Sequence, residues 1–438
     1  MKSYESWGRY PKAKASIVKP FLWQDDQIDF CQEERSYLAY GQGRSYGDCC
    51  LNDQGVLIDM SRLSKFIEFD AITGIIRCEA GITLGEILDI STLHGWFLPV
   101  TPGTKHVSLG GAIANDVHGK NHHVAGTFGR HVLRFELLRS TGERYVCSRN
   151  ENVDLFRATI GGLGLTGVIL WAELQLKLIK SHNILAEHVR FTCLRDFFAL
   201  SQESDGAFEY TVAWIDCLNS PKAMGRGIFF RGNHDSAPTN LMQVQRHRPV
   251  NVPVNAPNCL LNWVTARMFN ACYYRSQAAG LRRKVVHFDR FFYPLDGVDN
   301  WNRLYGSRGF LQYQCVVGGL HEYDAMEEIL RRISASGLGS FLGVLKRFGS
   351  SVSPGLLSFP RPGVTLALDF PNQGADMLRL MESLDEVVRE NGGAVYPAKD
   401  ARMSAKNFRT FFPQLEQFCH FVDPKFSSNF WRRVSSDS

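Results

Sequence analysis

Residues 101–129 read TPGTKHVSLGGAIANDVHGKNHHVAGTFG. Gly103, Gly110, Gly111, Gly119, Gly126 and Gly129 are too many for the interior of a packed strand or helix, where each glycine costs roughly 0.5–1 kcal/mol relative to alanine. Close approach of backbone to a large planar ligand accounts for that cost. Upstream, residues 41–48 read GQGRSYGD and follow the short β-forming run YLAY. In such a turn several backbone N–H groups converge into a nest suited to a pyrophosphate. A glycine-rich β-turn is the plainer alternative for this segment alone, but it does not explain two such clusters in one chain.

A third cluster, GLGLTG at residues 162–167, fits the GxGxxG dinucleotide fingerprint letter by letter. The fingerprint requires a strand before it and a helix after it. Here the helix-like NVDLFRAT precedes it and the strand-like VILWAELQLKLI follows, so a nicotinamide-binding reading is rejected. In that strand Leu174, Leu176 and Leu178 alternate with polar neighbours, the period of a sheet with one wet face.

Working outward, GVLIDM, GIIRCEAGI and FELLRSTGERYV read as further short strands between tight turns, making one α+β unit with the glycine loops. Beyond Ser181 two strand-helix-strand passages follow. FLQYQCVV leads to the amphipathic DAMEEILRRISAS and then SFLGVLKRFG; VTLALDF leads to ADMLRLMESLDEVVREN, a stop at Gly392 and Gly393, and AVYPAKD. This predicts a second α+β domain on a mostly antiparallel sheet. Between the passages and the first unit, RHRPVNVPVNAPNC at 246–259 reads as a mobile surface loop, a candidate lid.

With 49 basic and 44 acidic side chains in 438 residues, the net charge of +5 has no polybasic stripe and excludes nucleic acid as a partner. Arg282, Arg283 and Lys284 form a local surplus that suits a phosphate on a small ligand, although such clusters are commonly solvated faces. The 11 cysteines are scattered, without a CxxC pair, and read as thiols in a reducing compartment. His118, His122 and His123 lack ligand-type partners in sequence, so no metal is expected. No apolar leader or spanning run is present, which predicts a cytoplasmic protein with at most peripheral membrane contact.

The motifs above, with SWGRYPKA, GGLGLTG, FFYPLD, WNRLYG, GFLQYQ, KRFG, LSFP and YPAKDAR, resemble in this order the flavoprotein superfamily of vanillyl-alcohol oxidase and p-cresol methylhydroxylase. Within it, they are most similar to the decaprenylphosphoryl-β-D-ribose 2′-oxidases. The resemblance implies an α+β fold: a PCMH-type, two-subdomain FAD-binding domain over 1–180, a substrate domain over 181–392, and a segment, 393–438, that returns to complete the FAD domain. It implies FAD held by Gly41, Gly43, Arg44, Ser45, Tyr46, Gly47 and Asp48 at the pyrophosphate. Gly103, Ser108, Leu109, Gly110, Gly111, Asn115, Asp116, Val117 and His118 would line the flavin and its ribityl chain, with Ile169 on the adenine side and Tyr396 at the isoalloxazine. Many relatives tether FAD through a histidine where this chain has Tyr46, so the FAD is expected to be non-covalent.

By the same carry-over Lys399, Gln314 and Lys120 are catalytic, and Tyr293, Gln312, Lys346, Trp214, Phe348 and Ala367 bind substrate. Ala367 stands where some of these oxidases have a pocket cysteine, and Val212 and Thr365 replace polar residues. The reaction implied is oxidation of a secondary sugar hydroxyl by hydride transfer to flavin N5. The substrate would be a polyprenyl-phosphate-linked pentose, oxidised at the 2′ position, with a short-chain reductase as partner completing an epimerisation. An aldonolactone or alditol oxidase, and a non-catalytic flavin-fold subunit, are the competing readings.

Overall fold

The structure, a computed structural model, describes residues 3–30, 34–219, 224–239, 241 and 249–436. A three-stranded parallel sheet has Val56–Asp59 at its centre, flanked by Ile17–Pro20 and Tyr37–Tyr40. All four central residues are buried, as expected for a parallel strand covered on both faces. The strand Tyr37–Tyr40 delivers the chain directly into GQGRSYGD at its carboxyl end, the end at which parallel sheets present ligand-binding loops.

A five-stranded antiparallel sheet follows, in the order Phe66–Asp70, Ile75–Glu79, Val168–Gln175, Val132–Leu138, Arg144–Ser148. The helix Leu84–Ser91 begins at a complete capping box between Thr83 and Glu86. The short helix Leu109–Ala114, capped by Ser108, carries the second glycine cluster. The GLGLTG turn runs from the helix Val153–Thr159 into the strand Val168–Gln175, the reverse of the dinucleotide arrangement.

The largest layer is an eight-stranded sheet, every neighbouring pair antiparallel. Its order is Leu281–His287, Asn183–Phe191, Gly227–His234, Tyr210–Ile215, Gly343–Phe348, Gly363–Pro371, Phe310–Val317, Ala394–Val395. The helices Glu322–Ser336 and Ala375–Glu390 cover one face. Ala325, Met326, Ile329, Leu330 and Ile333 on the first, and Met377, Leu380, Met381, Leu384 and Val388 on the second, recur at three- and four-residue intervals and are all buried. Each of these Leu, Ile, Val and Met side chains contributes about 1.5–3 kcal/mol when fully buried. Along Phe310–Val317 the alternation puts Leu311, Tyr313 and Cys315 into that core and turns Gln312 and Gln314 the other way. The α+β class and the antiparallel sheet read from the sequence are what the structure shows.

After Ala394–Val395 the chain crosses back. Tyr46 N donates to Ala398 O at 2.9 Å, and Asn429 N to Leu51 O at 2.8 Å. A Cβ at Gly47 would lie 1.5 Å from Asp400 O, so glycine permits this crossing. Arg433 then pairs with Asp48 at 2.6 Å and Asp400 at 3.1 Å, locking the last helix, Asn429–Ser435, onto the junction.

Candidate active site

Between the glycine loops and the polar face of the large sheet lies a cavity of about 730 Å³, within the usual size range for cofactor and substrate sites. The two glycine clusters meet on one wall. A Cβ at Gly41 would stand 2.2 Å from Ser108 Oγ, so the loops approach as closely as they do only because position 41 has no side chain. Among the described residues the amides of Gly43, Arg44 and Ser45 donate to no protein acceptor, although they line the cavity. Buried N–H groups are normally paired, and a row of free ones beside an arginine fits a diphosphate. Arg44 stacks on Trp7 with its guanidinium carbon 4.2 Å from the ring centroid.

Of the residues carried over for FAD, the cavity brings together Gly41, Gly43, Arg44, Ser45, Tyr46, Gly103, Ser108, Gly110, Gly111, Asn115, Val117, His118, Ile169 and Tyr396. It does not bring Gly47, Asp48, Leu109 or Asp116 to its wall. Each has a structural occupation instead. Gly47 admits the Asp400 carbonyl, Asp48 pairs with Arg433, and Leu109 is fully buried in the core. Asp116 accepts from Gly129 N, Ser353 Oγ and Ser358 Oγ.

The opposite wall is the sheet face. Gln312, Gln314, Lys346, Trp214 and Ala367 line the cavity, with Lys120 from the glycine loop and Lys399 from the returning segment. Tyr293 and Phe348 do not. The Tyr293 hydroxyl lies 2.6 Å from Thr101 Oγ1 behind the wall, and Phe348 packs edge-on against His118 from below, ring centroids 4.8 Å apart. The two glutamines share one face because they are two residues apart on a strand, as the sequence implied.

Burial governs the electrostatics. It pushes the Lys120 ammonium down to about 8 and Lys346 to about 7, the latter helped by the positive charges of Lys120 and Lys399. It also lowers Lys399, against the attraction of Asp369. Lys120 Nζ donates to Phe292 O at 2.9 Å, and Lys399 Nζ sits 3.6 Å from the centroid of the Tyr46 ring. His118 is held neutral, well below its ordinary range, by burial and then by Lys346. Lys346 Nζ is 3.1 Å from its Nδ1, and the Gln314 amide is 2.9 Å from its Nε2. The Gln314 amide nitrogen can only donate, so Nε2 accepts, the single N–H of the neutral ring stands on Nδ1, and Lys346 meets it as a neutral amine that accepts.

Sequence reasoning missed several wall residues. Trp7, Cys49, Cys50, Phe269 and Tyr273 line the cavity, as do Leu163, Gly164 and Gly167 of the GLGLTG turn. The fingerprint was rightly refused as a nicotinamide motif, yet Gly164 and Gly167 of its three glycines still line the cavity. Of the loop at 246–259, residues 246–248 lie outside the described residues. The rest is fixed to the surface by Arg303, which donates to Val252 O and Pro253 O, and does not line the cavity, so it is not the expected lid. Among the described residues no three His, Cys, Asp or Glu side chains are grouped to hold a metal.

A nest of free amides, glycine loops from two strand ends and a facing wall of buried lysines and amides define a flavin-dependent oxidoreductase site. Comparison with known proteins agrees: the FAD binding domain family matches residues 26–148. The decaprenylphosphoryl-β-D-ribose oxidase of Mycolicibacterium smegmatis is 37% identical over 452 residues, covering 98% of this chain and 96% of that protein. A Streptomyces coelicolor protein described only as an uncharacterized protein in the mprA 5′ region is 35% identical over 370 residues, covering 81% of this chain and 100% of its own. L-gulonolactone oxidase of Mus musculus is 30% identical over 146 residues, 33% of this chain. The chain belongs to the decaprenylphosphoryl-β-D-ribose oxidase family, and it is an FAD-dependent oxidoreductase acting on a hydroxyl group.

Proposed function

We propose that the chain oxidises the 2′-hydroxyl of a polyprenyl-phosphate-linked pentose. The observation that carries this is the convergence of Lys120, Lys346, Lys399, Gln312 and Gln314 on one buried cavity with the free-amide nest. FAD, when bound, supplies the acceptor for a hydride. The residues then divide the remaining work. Gln312 and Gln314 orient the sugar through their amides. Lys399, lowered by burial, takes up the hydroxyl proton, and Lys346 lies towards the sugar hydroxyls or phosphate. The apolar and aromatic walls exclude water.

The cavity mouth favours a lipid-phosphate-linked sugar over a small free one. Alternation along Leu281–His287 puts Arg282 and Lys284 on the face of Val286, which lines the cavity, while Arg283 turns away to Glu187 at 2.9 Å. Neither Arg282 nor Lys284 has a carboxylate within 4 Å among the described residues. The helix Trp263–Ser276 lines the same cavity with Phe269 and Tyr273 and exposes Trp263, Val264 and Met268. Unpaired cations and exposed apolar side chains on elements that line one cavity suit an anionic lipid headgroup and its chain, and peripheral contact with a membrane is the reading they support. No helix among the described residues is long and apolar enough to cross one. The keto sugar so formed is what a hydride-donating reductase would consume, which makes such an enzyme the expected partner.

The test is anaerobic mixing of the purified yellow protein with a polyprenyl-phosphoryl ribose, with ribose 5-phosphate and with an aldonolactone. Flavin bleaching by the lipid-linked sugar alone is expected. Bleaching by the lactone alone transfers the assignment to the lactone oxidases, and bleaching by none supports a non-catalytic subunit. Acid precipitation of the same sample should leave all FAD in the supernatant, because Tyr46 replaces the tethering histidine.

A further inference from the structure

The large sheet places one more ionisable group beside the cavity, which neither the motifs nor the reading above uses. Asp369 stands directly opposite Gln312 in the pairing of Phe310–Val317 with Gly363–Pro371. It is fully buried and accepts a hydrogen bond on Oδ1 from Gln312 Nε2, while Oδ2 has no hydrogen-bond partner among the described residues. Its amide donates to Ser340 Oγ at 3.2 Å, which fixes the backbone. A carboxylate so placed costs several kcal/mol unless a cation compensates it.

The titratable groups that face Asp369 come from every element packed around it. Tyr46, with Arg44 beside it, comes from the first glycine loop, Tyr305 from the short helix Trp301–Tyr305, and Lys399 from the returning segment. Tyr305 Oη is likewise buried without a partner among the described residues. Arg44 is engaged with Trp7. Lys399, lying over the Tyr46 ring, is therefore the cation whose charge Asp369 meets.

We infer that Asp369 is a positioning residue for the reaction: through its charge on Lys399 it sets whether that lysine presents an ammonium or a free amine to the cavity. The inference rests on the hydroxyl-oxidation reading, in which Lys399 handles the proton. Burial pushes the Asp369 carboxyl up and Lys399 down, and their mutual attraction opposes both shifts. An ionised Asp369 favours the ammonium form of Lys399, and a protonated Asp369 favours the free amine.

The experiment titrates Lys399 itself in the FAD-loaded protein. Lysines are labelled with 13C at Cε, and the Lys399 resonance is assigned by its loss in Lys399→Met. Asp369→Asn is expected to lower the Lys399 pKa by about one unit or more, a tenfold change in ionisation constant, and to move the acid limb of flavin reduction to lower pH by the same amount. Asp369→Glu should restore most of the shift. Gln312→Leu keeps the carboxylate but removes the bond that favours its ionised form, so a smaller fall in the same direction is expected. An unchanged Lys399 titration in Asp369→Asn with FAD content retained overturns the inference. If that variant does not fold, an unchanged titration in Gln312→Leu overturns it equally. Failure of the functional reading looks different: Lys399→Met would then bleach at the parent rate, whatever the titration shows.

Discussion

Two sets of buried cations occupy this molecule and are treated in opposite ways. In the returning segment Arg402 makes two parallel bonds to Asp385, both 2.7 Å, and the same carboxylate accepts from Tyr313 and Asn407. Arg433 bridges Asp48 and Asp400, and Arg139 pairs with Asp423 at 3.2 Å. In the cavity Lys120, Lys346 and Lys399 are buried as deeply, yet none has a carboxylate within 4 Å among the described residues. The arginines hold chain segments together with their charge satisfied. The lysines are left without a contacting carboxylate, which is the pattern of groups reserved for a ligand and a proton.

Breaking the contrast on its functional side should give the largest effect. Lys399→Met, which removes a buried cation that no carboxylate contacts, is expected to leave FAD binding and melting temperature close to the parent while slowing anaerobic flavin reduction about 10²–10⁴-fold. On its structural side, Arg402→Met strands Asp385 in the core and should cost about 3–5 kcal/mol of stability by denaturant unfolding. The pH dependence of flavin reduction in whatever folded protein remains should be unaltered. If Arg402→Met is tolerated and Lys399→Met unfolds the protein, the comparison is inverted.

A third, smaller effect sharpens it. Lys346 has a folded-state pKa of about 7, below the unfolded value near 10.4, so the unfolded chain binds more protons between those limits. Stability must therefore rise with pH across that window and level off above it. Lys346→Met should flatten the rise, read as melting temperature from pH 7 to 9, whereas Arg433→Met should leave the slope as it is. An equal slope in both variants would mean that Lys346 is not desolvated in the folded protein.

Much of this was legible beforehand. Strand periods, the helix stripes at Met326, Ile329 and Ile333, and the glycine clusters are local signals, and local geometry alone makes them readable. The Gln312 and Gln314 pair was readable for the same reason: two residues on a strand always share a face. Asp369 carried no such signal. Within VTLALDF it is an acidic residue at the end of a strand, and only its pairing opposite Gln312 makes it part of the site. Tyr293 and Phe348 failed in the other direction, since a motif fixes a residue's neighbourhood but not which side of a wall its ring occupies.

The sequence by itself determined the α+β architecture, through short-range patterns of alternation and amphipathicity, and the cofactor class, through the resemblance of its motifs in their order to a flavoprotein superfamily. Which cations are paired was decided only by the tertiary structure. Arg433 meets Asp48 across most of the chain, while Lys399 is buried with no carboxylate in contact among the described residues. Burial and distance set those charges, and neither is a property of a residue's neighbours in sequence.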